Sequence, residues 1–203
     1  MKSFSKDLVN ALQVHANVLP YPNVEAHYKF SRQEAEKPPK TRAKLIYDYY
    51  EKLTKIYYRP EYEDMHVAYF YIESMTNMRP WRMFNRDKLP VKKDDYFVGS
   101  QFIDQELTAA LMKYPDHPGL AHLCIHFHEM GAEPERALPA CYSLVKMLEG
   151  ENGHLMHMPS HIFLQTGDWG MAASCNAHSV RFNEKYESMI VKRHPHTVIL
   201  LTT

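Results

Sequence analysis

This chain has few glycines, no net charge and few long apolar runs. Only seven glycines occur among the 203 residues, and strand-like runs of valine and isoleucine are rare, which favours an all-α fold. Lysine plus arginine and aspartate plus glutamate number 24 each, so no excess of one sign indicates a nucleic-acid or membrane-surface partner. The length suffices for one sizeable domain or for a short array of repeats.

Signals for export and for membrane insertion are also missing. The N-terminal stretch MKSFSKDLVNALQVH has no apolar run followed by a small-residue cleavage site, and no window of about 18 apolar residues occurs. The three cysteines, Cys124, Cys141 and Cys175, have neither C-x-x-C pairing nor the spacing of a disulfide framework, which is typical of reduced thiols. We therefore expect a cytoplasmic protein that does not span a membrane.

Helical spacing of apolar residues predicts a series of helices separated by proline-containing loops. Two predicted helices, 4–15 and 24–36, make up an N-terminal region of residues 1–36. Residues 37–114 are predicted to be divergent helical repeats, in which one helix is capped by Thr41 and others span 62–76 and 96–113. A long loop at 77–95 separates the last two helices, and loops of that length are often functional.

A repeat of 35 residues relates two later segments of the chain. The segment GDWGMAA (167–173) aligns with AEPERAL (132–138). With the same shift, His157 is equivalent to His122 and His161 is equivalent to His126. Each histidine pair has i,i+4 spacing, so both rings of a pair lie on one face of a helix. Pro159 requires the second helix to begin near Leu155 or Met156, because proline is tolerated only in the first turn.

Four motifs in the same order connect this chain to a known group. They are AYFYIESMTNMRPW (68–81), DHPGLAHLCIHFHE (116–129), PERALPAC (134–141) and GHLMHMPSHIFLQTGDW (153–169). The chain thereby resembles the tetratricopeptide-repeat superfamily, and within it the mostly bacterial proteins with HPG..H.YIH..E and GHL.HMPSHI motifs. The resemblance spans roughly residues 42–185. It implies a solenoid of antiparallel helix pairs, with two repeats in residues 115–186 and an exposed or truncated tail at 187–203.

The resemblance also implies a shared location for the histidines. In this superfamily the first helix of each repeat lines a concave groove. The groove residues implied here are His122, His126, Glu129, Met130, His154, His157, His161 and Gln165.

Imidazole clustering of this kind is typical of metal sites. Neutral imidazole is the commonest protein ligand for transition metals, and i,i+4 pairs present two rings to one ion. We predict a site for Zn, Cu or Fe, built from His122, His126, His157 and His161 with His154 as a further candidate. Glu129 is a candidate fifth ligand, orienting partner of the ligands, or general base.

Two functions follow, and they belong to different classes. The first is a metal-binding repeat protein, with metal-dependent catalysis on a small molecule in the groove as its enzymatic form. The second is a non-catalytic scaffold that binds a peptide or protein, and histidines that bind an anionic ligand or form structural hydrogen bonds belong to that alternative. Relatives usually continue with more helices, so a homodimer or a partner chain could complete the array. No G-x-S-x-G, P-loop, dinucleotide or H-E-x-x-H motif occurs.

Overall fold

The structure, a computed structural model, describes the backbone of residues 39–60, 63–147 and 152–193 and the side chains of 43–60, 63–147 and 152–189. Helices occupy most of these residues and no strand occurs among them, so the predicted all-α class is confirmed at this level. The predicted helices at 4–15 and 24–36 lie outside the described residues, as does the whole region 1–36. No described helix combines the length and the apolar character needed to cross a membrane.

The chain divides into two compact units, residues 1–114 and 115–203. The described part of the first unit contains α1 (Pro39–Tyr57), α2 (Met65–Thr76) and α3 (Ser100–Lys113). The central helix α2 packs against both of the others. Its Tyr71 is fully buried, and its ring stacks on that of Tyr57 with centres 4.2 Å apart. This aromatic packing holds the first unit together.

The first two helices begin at other residues than predicted. Helix α1 begins at Pro39 rather than near Thr41, because the fixed φ of proline suits the first position of a helix. Helix α2 begins at Met65 rather than at residue 62. The carboxylate of Asp64 accepts the backbone N–H of His66 at 2.8 Å and thereby caps the helix.

The connection between α2 and α3 is irregular, as predicted for residues 77–95, and it extends to Gly99. Gly99 has a φ of 92°, a conformation that favours glycine, so α3 begins at Ser100 rather than at residue 96. The Ser100 hydroxyl donates a hydrogen bond to the carbonyl oxygen of Met83. This contact folds the connection onto the N-terminal end of α3.

The second unit carries the predicted histidine site. Its elements are α4 (Pro118–Glu129), a 3₁₀ helix (Pro134–Ala137), α5 (Leu138–Met147), α6 (Gly153–His157), α7 (Pro159–Thr166) and α8 (Trp169–Arg193). Helix α4 packs against α5 and α7, and α8 packs against α6 and α7. The interior of the unit includes Leu120, Ile125, Phe127, Leu144, Ile162 and Phe163, all at most 1% exposed.

Helix α8 extends past the predicted start of the tail at residue 187. Its backbone is helical through Arg193, and the side chains of 187–189 are exposed. The remainder of the predicted tail, residues 194–203, lies outside the described residues.

The first helices of the two equivalent segments are capped at positions 35 residues apart. The ring nitrogen Nδ1 of His117 accepts the backbone N–H of Leu120 at 3.1 Å and caps α4. The side chain of Asn152 accepts the N–H of Leu155 at 3.0 Å and caps α6. Both caps satisfy an otherwise unpaired N–H of the first turn. The backbone thus repeats with the same 35-residue shift as the histidines.

Pro159 interrupts the helix of the second segment, but the backbone before it stays helical. Helix α6 begins at Gly153, earlier than the predicted start near Leu155, and it ends at His157. Pro159 has no N–H to donate, so the hydrogen-bond pattern breaks before it. Met158 keeps helical dihedrals, with φ −53° and ψ −43°, so α7 follows α6 without an intervening loop. His157 and His161 consequently stay on one face across the break.

Gly153 allows α6 to approach α8 closely, and this contact should tolerate no side chain. A Cβ at Gly153 would lie 2.3 Å from Oδ1 of Asn183 and 3.2 Å from Phe182. Replacing Gly153 with alanine is expected to lower the free energy of unfolding by about 1–3 kcal/mol in a urea titration. The matched control is Gly170 in α8, where a Cβ meets only an atom at 3.8 Å, so Gly170→Ala should raise stability. Equal effects of the two changes would contradict the close approach.

Candidate metal centre

Five histidines from three helices of the second unit form the candidate site. Helix α4 presents His122 and His126 from one face, where both rings are half-buried, while the residues between them, Leu123 to Ile125, are buried in the core. Helix α6 contributes His154 and His157, and α7 contributes His161. Because the other faces of these helices pack into the core, the histidines lie on the surface that α4, α6 and α7 form.

His122, His126 and His154 come closest together. The Nε2 atoms of His122 and His154 are 3.2 Å apart. One nitrogen from each of the three rings lies within 4.8 Å of the other two. The ring centres are separated by 4.6 Å for His122 and His126 and by 5.2 Å for His122 and His154.

The ring-centre separations of His122 from His126 and His154 match those of imidazoles bound to one ion. Zinc lies about 2.0–2.1 Å from an imidazole nitrogen, which places the ring centre about 3.2 Å from the ion. Two imidazoles on one ion at angles of about 90–110° then have ring centres about 4.5–5.2 Å apart and nitrogens about 2.9–3.4 Å apart. The His122–His154 nitrogens already have that separation.

Glu129 connects two of the imidazoles. Its Oε1 lies 2.6 Å from Nδ1 of His126, and its Oε2 lies 3.0 Å from Nδ1 of His161. The carboxylate is only 9% exposed, so these two contacts replace the water that burial removes. When a carboxylate accepts the Nδ1–H of an imidazole, the lone pair of that ring is on Nε2, where a metal can bind. Of the three roles predicted for Glu129, this geometry favours that of orienting the ligands.

Asn176 plays a similar part for His157, and sequence reasoning did not identify it. Its Oδ1 lies 2.6 Å from Nδ1 of His157, with the hydroxyl of Ser160 at 3.5 Å from the same nitrogen. The residue 35 positions before Asn176 is Cys141, whose side chain is chemically unrelated to that of asparagine. Nothing in the sequence pattern therefore singles this residue out.

The structure divides the predicted ligands into two groups. His154, a further candidate in the sequence, belongs to the closest group with His122 and His126, while His157 and His161 do not. The ring centres of His126 and His161 are 6.2 Å apart, beyond the range for two ligands at about 90–110° on one ion.

The two other predicted groove residues lie at the ends of α4 and α7. Gln165 donates from Nε2 to the carbonyl oxygen of Glu129 at 3.0 Å, which ties α7 to the C-terminal end of α4. Met130 is the residue after that end and is half-buried. Gln165 therefore supports the position of Glu129, whereas Met130 has no defined part in the site.

Burial favours the neutral form of three of the imidazoles, those of His122, His154 and His161. It lowers the pKa of His122 from 6.5 to about 4, with further lowering by His126 and His154. Burial likewise lowers the pKa of His154 and that of His161, although the Glu129 carboxylate opposes the change at His161. Neutral imidazoles at pH 7 have lone pairs available for a cation.

The lowered pKa of His122 predicts that acid destabilises the metal-free protein. Between pH 6.5 and about 4 the unfolded chain binds a proton at His122 that the folded chain does not bind, so unfolding becomes more favourable as the pH falls. Because the ring is only partly buried, we expect a loss of about 1–2 kcal/mol. Urea titrations with chelator at pH 7 and pH 5 measure it. His122→Asn should reduce the difference between the two pH values, and an unchanged difference would contradict the prediction.

Sulfur ligands are turned away from the histidines. Met156 is 3% exposed and lines a cavity with Tyr142 and Cys175 between α5, α6 and α8, and Met158 is fully buried. The three cysteines are buried as well, and burial raises the pKa of Cys141 and Cys175, which disfavours thiolates. The nitrogen-only group therefore suits Zn(II) or Cu(II) better than the soft ion Cu(I).

Comparisons of the chain with protein-family models, with curated proteins and with solved structures find no match. The resemblance to tetratricopeptide repeats therefore stays a prediction from the motifs. The function has to be inferred from the geometry of the histidine site itself.

Proposed function

We propose that this chain is a metal-binding, tetratricopeptide-like helical-repeat protein in which His122, His126 and His154 hold one Zn(II) or Cu(II) ion. The single observation that carries the proposal is the 3.2 Å separation of the Nε2 atoms of His122 and His154. Two nitrogens at that distance either share one proton or bind one cation. With His126 beside them and the pKa of His122 at about 4, a metal is the partner that satisfies all three rings.

The surroundings of the three rings support a bound ion. Glu129 holds the Nδ1 of His126, and a carboxylate behind a histidine ligand fixes the tautomer and raises the basicity of the other nitrogen. His154 is exposed, so an ion can enter from solvent. A partner that already fixes a ligand ring lowers the cost of ordering that ring on binding, which favours affinity.

The number of protein ligands supports a reactive role for the metal. Zn(II) with three nitrogen ligands keeps a fourth position for water or substrate and lowers the pKa of that water. The exposed side of His154 leaves that position accessible to a small molecule. The residues of this chain would then bind the ion through His122, His126 and His154 and hold the ring of His126 in place through Glu129.

Metal binding can be measured directly on the full chain without an affinity tag. Apo protein is titrated with Zn(II) by calorimetry, and Co(II) spectra report the coordination number. We expect saturable binding and a gain in stability of about 2.7 kcal/mol at an ion concentration of 100 times Kd. The double variant His122→Gln, His154→Gln should lose the tightest binding, while far-UV circular dichroism stays unchanged.

The matched control is His178, an exposed histidine of α8 whose Nδ1 contacts the carbonyl oxygen of Ser174 in its own helix. His178→Gln should bind metal like the unmodified chain. Protein that stays substoichiometric in metal after incubation with Zn(II), Cu(II) and Fe(II) would overturn the proposal. A purely scaffolding role would then be the better account of the histidines.

A further inference from the structure

His157 and His161 form a second pair of imidazoles beside the first group. Their ring centres are 4.8 Å apart, inside the range of about 4.5–5.2 Å for two ligands of one ion. The ring of His126, a member of the first group, is 6.2 Å from that of His161 and therefore outside this range. The pair lies outside the closest group of three, and it needs its own explanation.

Both rings of the pair are oriented by oxygen acceptors on other helices. Nδ1 of His157 lies 2.6 Å from Oδ1 of Asn176 on α8, and Nδ1 of His161 lies 3.0 Å from Oε2 of Glu129 on α4. When each Nδ1 donates its hydrogen, each lone pair is on Nε2. Two adjacent rings that can only accept at Nε2 cannot form a hydrogen bond with each other, but both can bind one cation.

The backbone holds the pair in a fixed relation. His157 ends α6 and His161 lies in the first turn of α7, and the helical dihedrals of Met158 join the two helices. The side chain of His161 is 34% exposed and that of His157 is half-buried, so water can supply the remaining ligands. Because both rings are already held in place, the entropic cost of ordering them when an ion binds is low.

The geometry points to a second metal ion, bound by Nε2 of His157 and His161 and completed by water. The inference goes beyond the proposed function and depends on it only for the presence of the first ion. Zn(II) or Cu(II) is the class of ion, because both ligands are imidazole nitrogens. With two protein ligands instead of three, the second ion binds more weakly than the first.

Glu129 joins the two sites through its two oxygens. Oε1 contacts His126 of the first group, and Oε2 contacts His161 of the second. Each ion therefore acts on the position of the same buried carboxylate. Binding of one ion should alter the affinity for the other.

The stoichiometry of the full-length chain tests the inference. Native mass spectrometry and calorimetry with Zn(II), and separately with Cu(II), should give two ions per chain with different affinities. His157→Gln, His161→Gln should reduce this to one ion of the higher affinity. His122→Gln, His154→Gln should also leave one ion, but of the lower affinity.

The outcomes separate this inference from the proposed function. If the unmodified chain binds only one ion, and the His122→Gln, His154→Gln variant binds none, the second site is overturned and the first stays intact. Two ions that persist in the His157, His161 variant also overturn it, and no bound ion overturns both. If a variant fails to fold, ¹⁵N spectra of the unmodified chain decide. The second equivalent should shift Nε2 of His157 and His161, and a shift elsewhere rejects the site.

Discussion

Replacing Glu129 with glutamine is expected to weaken metal binding at both histidine groups. The carboxylate accepts from Nδ1 of His126 with one oxygen and from Nδ1 of His161 with the other. A glutamine has one accepting oxygen and an NH₂ that donates, so at least one imidazole loses its partner. Loss of such a partner typically lowers metal affinity by about 10–100-fold. Calorimetric titration with Zn(II) gives the affinity of each site.

Glu133→Gln is the matched control for this carboxylate. Glu133 lies just after α4, is 67% exposed and is 3.8 Å from the guanidinium of Arg136. An exposed ion pair of this kind contributes little, so the affinity for Zn(II) should stay unchanged. If Glu129→Gln and Glu133→Gln bind metal equally well, Glu129 does not orient the ligands.

Replacing Phe163 with alanine is expected to give the largest loss of stability among single changes in α7. Phe163 is fully buried, two residues after His161, and its ring centre is 5.4 Å from that of Tyr142 on α5. Removing a buried phenylalanine costs about 3–5 kcal/mol through lost burial and the cavity left behind. Urea unfolding measures this loss, and the apparent affinity of His161 for metal should fall with it.

Leu164 provides the control at the next residue of α7. Its side chain is 45% exposed, so Leu164→Ala should change the free energy of unfolding by no more than about 0.5 kcal/mol. A large effect at Leu164 together with a small effect at Phe163 would mean that α7 packs through another face. The histidine arrangement would then be wrong as well, because His161 is fixed to the same helix.

Helix content was predictable because it depends on local pattern. Apolar spacing and the scarcity of glycine indicated helices, and those of residues 43–147 and 152–189 occur where the pattern placed them to within a few residues. The errors are at helix starts. Asp64 and Gly99 each end the preceding loop by a specific backbone contact or dihedral, and such details are not visible in the spacing of apolar residues.

Pro159 shows how a local rule was correct while its consequence was not. The rule that proline breaks the hydrogen-bond pattern held, since α6 ends at His157 and α7 begins at Pro159. One helix beginning near Leu155 or Met156 was expected, with Pro159 in its first turn and both His157 and His161 on one face. Met158 retains helical dihedrals instead, so two short helices do what one longer helix was expected to do.

By itself the sequence determined the helical class, the 35-residue shift and the i,i+4 histidine pairs, because all three depend on residues close along one helix or on counting. Only the tertiary structure decided which imidazoles meet. His154 joins His122 and His126, whereas His157 and His161 stand apart with Glu129 between the groups. Distances between rings on different helices depend on how the helices pack, and differences of about 1 Å separate a shared ion from two ions. Periodicity along the chain carries no information at that scale.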